Sequence, residues 1–239
     1  MQLQWYYFAS LIFVSLTLFF FRSRPRSSRY RFLLFLTLVN AIAYVVNWWY
    51  FYLRRDSIFT LLPLQLCNIA VFLIPTALIR KSALLMDFVF YVCGLGALAA
   101  ILIVSTDYQD TYSMMTISFY IFHFSIFIIP VFNSIWGFHP LRPTVKSAIR
   151  LTLMVLAVSG SLHLFNLYLN HFHAIPANYF FTIKDLSAGG NAAFTLFASW
   201  LPYDYIYLWV ALPILYLYMW IVSIIVTRRP KPRLRVERR

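Results

Sequence analysis

The stretch SAIRLTLMVLAVSGSLHLFNLYLN (147–170) decides the fold. It is an apolar run with one charged residue, Arg150. As a helix it is long enough to cross a hydrocarbon layer of about 30 Å. Within it Ser159, His163, Asn166 and Asn170 recur at i, i+4, i+7 and i+11. They therefore form one stripe along a helix. Polar side chains in hydrocarbon are costly and turn toward a bundle interior or a wet cavity. One such stripe predicts a helical bundle with polar groups inside.

Six further stretches read the same way, at roughly 5–21, 32–53, 59–79, 86–105, 113–135 and 204–227. The composition agrees: of 239 residues, 62% are hydrophobic, 20% aromatic and only 11% charged. The mean hydropathy is +0.74. These values exclude a soluble domain. The expectation is an all-α polytopic membrane protein with seven transmembrane helices. It comprises a single membrane domain over 1–227, with an extracytoplasmic loop at about 171–203 and a basic cytoplasmic tail at 228–239. The first stretch lacks a basic N-terminal flank and a following small-residue cleavage site. It therefore reads as a retained helix.

The net charge of +13 suggests nucleic acid until its placement is considered. Seventeen of the twenty Lys and Arg residues fall on one side of the seven-span threading, after the first, third, fifth and seventh spans. Arg54, Arg55 and Lys184 are the exceptions. The positive-inside rule then puts the N-terminus outside and the C-terminus in the cytoplasm of a multi-pass cell-membrane protein. The partners expected are membrane lipids, with a lipid-anchored or membrane protein as a further candidate, and no nucleic acid.

Threaded in this way, the polar groups gather in the outer half. Gln65, Cys67 and Asn68 lie early in the third span, Asp107 ends the fourth, and Tyr120 and His123 lie on the fifth. His163 and Asn166 lie on the sixth, and Asn40 and Asn47 are seven apart on the second, with Tyr44 between them. The expectation is one outer chamber bringing His123, His163, Asn166 and Asp107 together, with Asn47 close by. Each signal also fits plain structure. Asn and Gln glue helices together, and Cys behaves as a small apolar residue in cores. On an ideal helix Gln65 and Asn68 lie about 60° apart, but Cys67 lies about 160° from Gln65. Cys67 and Cys93 sit at different depths, which disfavours a disulfide. His171 and His173 alone do not make a metal site. No cofactor motif is present, and no metal or cofactor is expected.

Four stretches carry a family resemblance: LPLQLCNIAVFL (62–73), YVCGLGALAAILIVSTD (91–107), FYIFHFSIFIIPVF (119–132) and NYFFTIKDLSAGGNAAFTLFASWLPYDYIY (178–207). In order and spacing they resemble the YwaF-like bacterial seven-helix membrane proteins, which are similar to the eukaryotic transmembrane protein 164 acyltransferases. The resemblance implies a cysteine-dependent acyl transfer between lipids, with Cys67 as nucleophile and His123 as base. The substrate-side residues would be Gln65, Asn68, Asp107, Tyr120, His163, Asn166 and Asn47. The sequence departs from the family pattern at Gln65, where a His is usual, and at Phe122 and Phe124 beside the histidine. The function expected is a membrane-embedded acyltransferase or lipid-ester hydrolase. The alternatives are a non-catalytic lipid-binding or partner subunit of an envelope complex, or a small transporter.

Overall fold

The computed structural model describes residues 4–53, 58–59, 61–103, 112–141, 143–184 and 192–227. All regular structure among them is helical. In chain order the helices are α1 (Gln4–Phe21), α2 (Arg26–Leu53), α3 (Leu66–Ile79), α4 (Ala83–Leu102), α5 (Met114–Ile135), α6 (Val145–His173), α7 (Ala192–Trp200) and α8 (Ala211–Thr227). α4 changes pitch midway, with a π-helical turn over Val89–Cys93. Among the described residues five helices are long and apolar enough to cross a membrane: α2, α4, α5, α6, and α8 together with the turn that leads into it. The expected first and third spans are the shorter helices α1 and α3. The span of α3 is only about 21 Å at the usual helical rise. It is short because residues 61–65, expected to be helical, form turns and extended backbone instead.

Long-range hydrogen bonds show which connections share an end. At one end Arg26 Nη2 donates to Gly137 O (3.3 Å), Tyr30 Oη to Leu78 O (3.2 Å) and the His139 ring to Asp87 Oδ1 (2.9 Å). The connections after α1, α3 and α5 therefore meet there, with the basic residues of 22–31 and with Arg80 and Lys81. At the other end Trp48 Nε1 donates to Leu61 O (3.2 Å) and Gln65 Nε2 to Asn178 O (3.1 Å). The connection after α2 therefore meets the one after α6. Asp87 and His139 come from distant parts of the chain, and no sequence pattern announces their pairing.

The main apolar cluster among the described residues draws on α2 to α6 and α8 and includes Leu33, Ile74, Phe88, Ile126, Ile129 and Phe132. α2 and α5 run antiparallel, and two polar pairs lock them. Asn40 Nδ2 donates to Ser125 Oγ (2.9 Å) and Phe122 O (2.9 Å). Asn47 Nδ2 donates to Ser118 Oγ (2.8 Å) and Ala43 O (3.1 Å). Interhelical pairs of this kind are worth about 0.6–2 kcal/mol in membranes. A double-mutant cycle on Asn47→Ala and Ser118→Ala should give a coupling of about 1 kcal/mol in reversible unfolding. A coupling of zero would mean that the pair does not hold the helices.

Candidate functional site

A cavity of about 260 Å³ opens at the end where α2, α3 and α5 meet. α2 contributes Tyr44, Asn47, Trp48 and Phe51, and α5 contributes Phe119, Phe122 and His123. Leu61, Gln65 and Asn68 complete it from the α3 side. Among the described residues the wall is thus aromatic, with three amides, one imidazole and no charged group.

His123 is buried between the rings of Phe119 and Phe122, at 4.2 and 4.9 Å. Its Nδ1 lies 2.9 Å from Phe119 O. That carbonyl can only accept, so Nδ1 carries the proton and Nε2 keeps its lone pair. Among the described residues nothing bonds to Nε2 or to the side chain of Asn68. The cavity therefore offers one bare basic nitrogen and one uncommitted amide. Asn47 is only partly available, because both Nδ2 hydrogens are spent on Ala43 and Ser118, leaving Oδ1.

Gln65 is at the same wall but has a structural task. It is the extended residue before the first turn of α3. Its Nε2 donates to Asn178 O (3.1 Å), and its Oε1 accepts from Phe180 N (2.9 Å). Three other amides treat the segment after α6 in the same two-way fashion. Asn166 Nδ2 donates to Tyr179 O (2.8 Å), and its Oδ1 accepts from Tyr179 N (2.9 Å). Asn170 pairs with Ala177 O (3.0 Å) and Ala177 N (2.8 Å). Asn178 closes on Ile183 O (3.1 Å) and Ile183 N (2.8 Å). A side-chain amide can copy a strand neighbour in this way because it presents one donor and one acceptor in a plane. The segment 177–183 is therefore a strap laced to α3 and α6. The Tyr179 hydroxyl donates to Phe59 O and the Tyr207 hydroxyl to Phe181 O, which extend the lacing.

The polar stripe of α6 thus serves the strap and the start of α8 rather than the cavity. Asn166, fully buried, adds a bond to Thr182 Oγ1 (2.7 Å). Ser159 Oγ donates to Val155 O (2.7 Å) and lies 3.3 Å from Tyr205 Oη. His163 stacks on Tyr205, with ring centroids 5.2 Å apart. A Cβ at Gly160 would sit 3.4 Å from Tyr205 Oη, in ordinary van der Waals contact. The convergence expected of His123 with His163 and Asn166 is not what this arrangement shows.

Cys67 does not line the cavity. Leu66 starts α3, so Cys67 and Asn68 stand about 100° apart around the helix. Asn68 faces the cavity, and Cys67 packs against the apolar cluster. Both Cys67 and Cys93 are free thiols. Tyr120 stacks on Tyr6 of α1, with centroids 4.2 Å apart, and is not part of the cavity wall. Asp107 lies outside the described residues. The features that sequence reasoning missed are the aromatic wall of Trp48, Phe51 and Phe119 and the strap itself. The amides Gln65, Asn166 and Asn170 before it and Asn178 within it were its only signal.

The architecture is that of a helical integral membrane protein with a polar cavity at one end. The sequence matches the TMEM164 family over residues 2–223, and the chain belongs to that family. No curated protein and no solved structure matches it.

Proposed function

We infer that the protein is a membrane-embedded acyltransferase or lipid-ester hydrolase working at the His123 cavity. The observation that carries this reading is that the bare Nε2 of His123 and the uncommitted amide of Asn68 line the same cavity. In the first step, the Cys67 thiol would pass its proton to Nε2 as sulfur attacks an ester carbonyl. The Asn68 amide would donate to the oxyanion. As the C–O bond breaks, Nε2 would return the proton to the leaving alkoxide. An acceptor hydroxyl, or water in the hydrolase case, would then take the acyl group from sulfur by the reverse sequence.

For this chemistry the first turn of α3 must rotate by about half of the roughly 100° between Cys67 and Asn68, which brings the thiol to one edge of the cavity while the amide stays at the other. The residues before it, 61–65, are not helical and leave that turn without a continuous helix behind it. In the same reading α1 and α3 also lie within the bilayer. The chain then makes seven passes of the cell membrane, with the N-terminus outside and the tail 228–239 in the cytoplasm. The close packing beneath the cavity, with Ile126, Ile129 and Phe132 at 0% exposure and the Asn40 and Ser125 side chains hydrogen-bonded to each other, argues against a transport path.

The position of Cys67 favours one second reading, a lipid-binding protein without catalysis. Cys67→Ala separates the readings. In membranes supplied with a phospholipid carrying a labelled acyl chain, the variant should lose acyl exchange by about 100-fold or more. Retained exchange in Cys67→Ala would remove the thiol mechanism. No exchange in the wild-type chain, with labelled lipid still bound, would establish the binding reading.

A further inference from the structure

A second concavity lies at the opposite end of α6. It is a groove of about 400 Å³ between the first two turns of α6 and the middle of α8. Val145, Ala148 and Ile149 form one wall, and Tyr216, Met219 and Trp220 the other. Thr152 Oγ1 and Tyr216 Oη, 2.7 Å apart, join the two helices at its inner end. From Val145 to His173, α6 is about 43 Å long at the usual helical rise. Asn166 and Asn170 hold the strap near its other end, so groove and cavity belong to opposite leaflets.

The surroundings of the groove state what would fill it. Lys146 and Arg150 directly follow the wall residues Val145 and Ile149, and both are exposed. Among the described residues neither meets a carboxylate or any hydrogen-bond partner. No Asp or Glu occurs in the sequence of α6 or α8. Two cations with no carboxylate partner among the described residues thus stand on the exposed face of α6 next to the cleft, Lys146 about 60° and Arg150 about 100° around the helix from the wall residue Ile149. Long basic side chains lay their stems along apolar surface and hold the charge at headgroup level. The indole of Trp220 is largely exposed, and tryptophan suits the same interfacial depth.

We propose that the α6–α8 groove is a binding site for one anionic glycerophospholipid, its acyl chain between Ala148 and Trp220 and its phosphate at Lys146 and Arg150. The groove runs about 10 Å along the helices, enough for the part of a chain nearest the headgroup. The site does not depend on the reading of the His123 cavity.

Native mass spectrometry of the full chain, released from nanodiscs of phosphatidylcholine with a minority of phosphatidylglycerol, tests the proposal. One phosphatidylglycerol should stay bound at a share above that of the bulk lipid. Lys146→Gln and Arg150→Gln should each reduce the enrichment about fivefold, the factor expected for one basic residue at an anionic surface. Arg80→Gln, at the same end but away from the groove, should leave it unchanged. Ala148→Leu, which fills the cleft, should lower retention of either lipid. Retained lipid that mirrors the bulk ratio would overturn the proposal. So would enrichment insensitive to Lys146 and Arg150, or a lipid-free dimer sealed through this groove.

Discussion

Replacing His123 with Gln is expected to reduce acyl transfer by about 10²–10⁴-fold, the usual contribution of a positioned general base. Gln is close in size and polarity, so it limits the damage to packing between Phe119 and Phe122. What it removes is the lone pair of Nε2, the only basic nitrogen on the cavity wall among the described residues. Transfer of a labelled acyl chain in membranes, normalised to folded protein, reads the effect. An Asn68→Ala variant should lose less, because it takes away one oxyanion donor and leaves proton transfer intact. Wild-type transfer in His123→Gln would exclude the cavity as a site of acyl chemistry.

The largest stability effect is expected at Asn166. In Asn166→Leu the buried Tyr179 N–H, the Tyr179 carbonyl and the Thr182 hydroxyl all lose a partner. A stranded buried polar group costs about 1–3 kcal/mol, so the sum is about 3 kcal/mol or more. For a chain of this size that is a fall in melting temperature of roughly 10 °C. Asn166→Asp should be no milder: it would keep the acceptor for Tyr179 N but set an oxygen against Tyr179 O. Asn170→Leu should cost less, because Asn170 is only partly buried and water can take over its bonds. Thermal unfolding in detergent, followed by intrinsic Trp fluorescence, measures all three. A wild-type melting temperature for Asn166→Leu would mean that the strap adds nothing to the fold.

The membrane class was legible from apolar runs alone, and Asn40, Asn47 and His123 were legible as inward-facing from their spacing. Two kinds of information were not. The first is where a helix starts. Helix was expected from residue 59, whereas α3 begins at Leu66, and that start sets which of Cys67 and Asn68 faces the cavity. The second is what a polar stripe is for. Periodicity places Ser159, His163, Asn166 and Asn170 on one face, but a side-chain amide facing a cavity and one facing a backbone strap have the same period. The strap has no period of its own, because its order comes from amides on α3 and α6, far apart in the chain. The Asp87–His139 pair was missed for the same reason.

The spacing of seven shared by Asn40–Asn47 and Ser118–Ser125 has a mechanical consequence. Two teeth on each helix mesh at one setting. Sliding α2 along α5 by a single turn, about 5.4 Å, disengages both. The next setting, at about 10.5 Å, re-engages only one tooth. α2 and α5 therefore act as a fixed rail, and any stroke that opens this bundle must be made by the helices that run beside it.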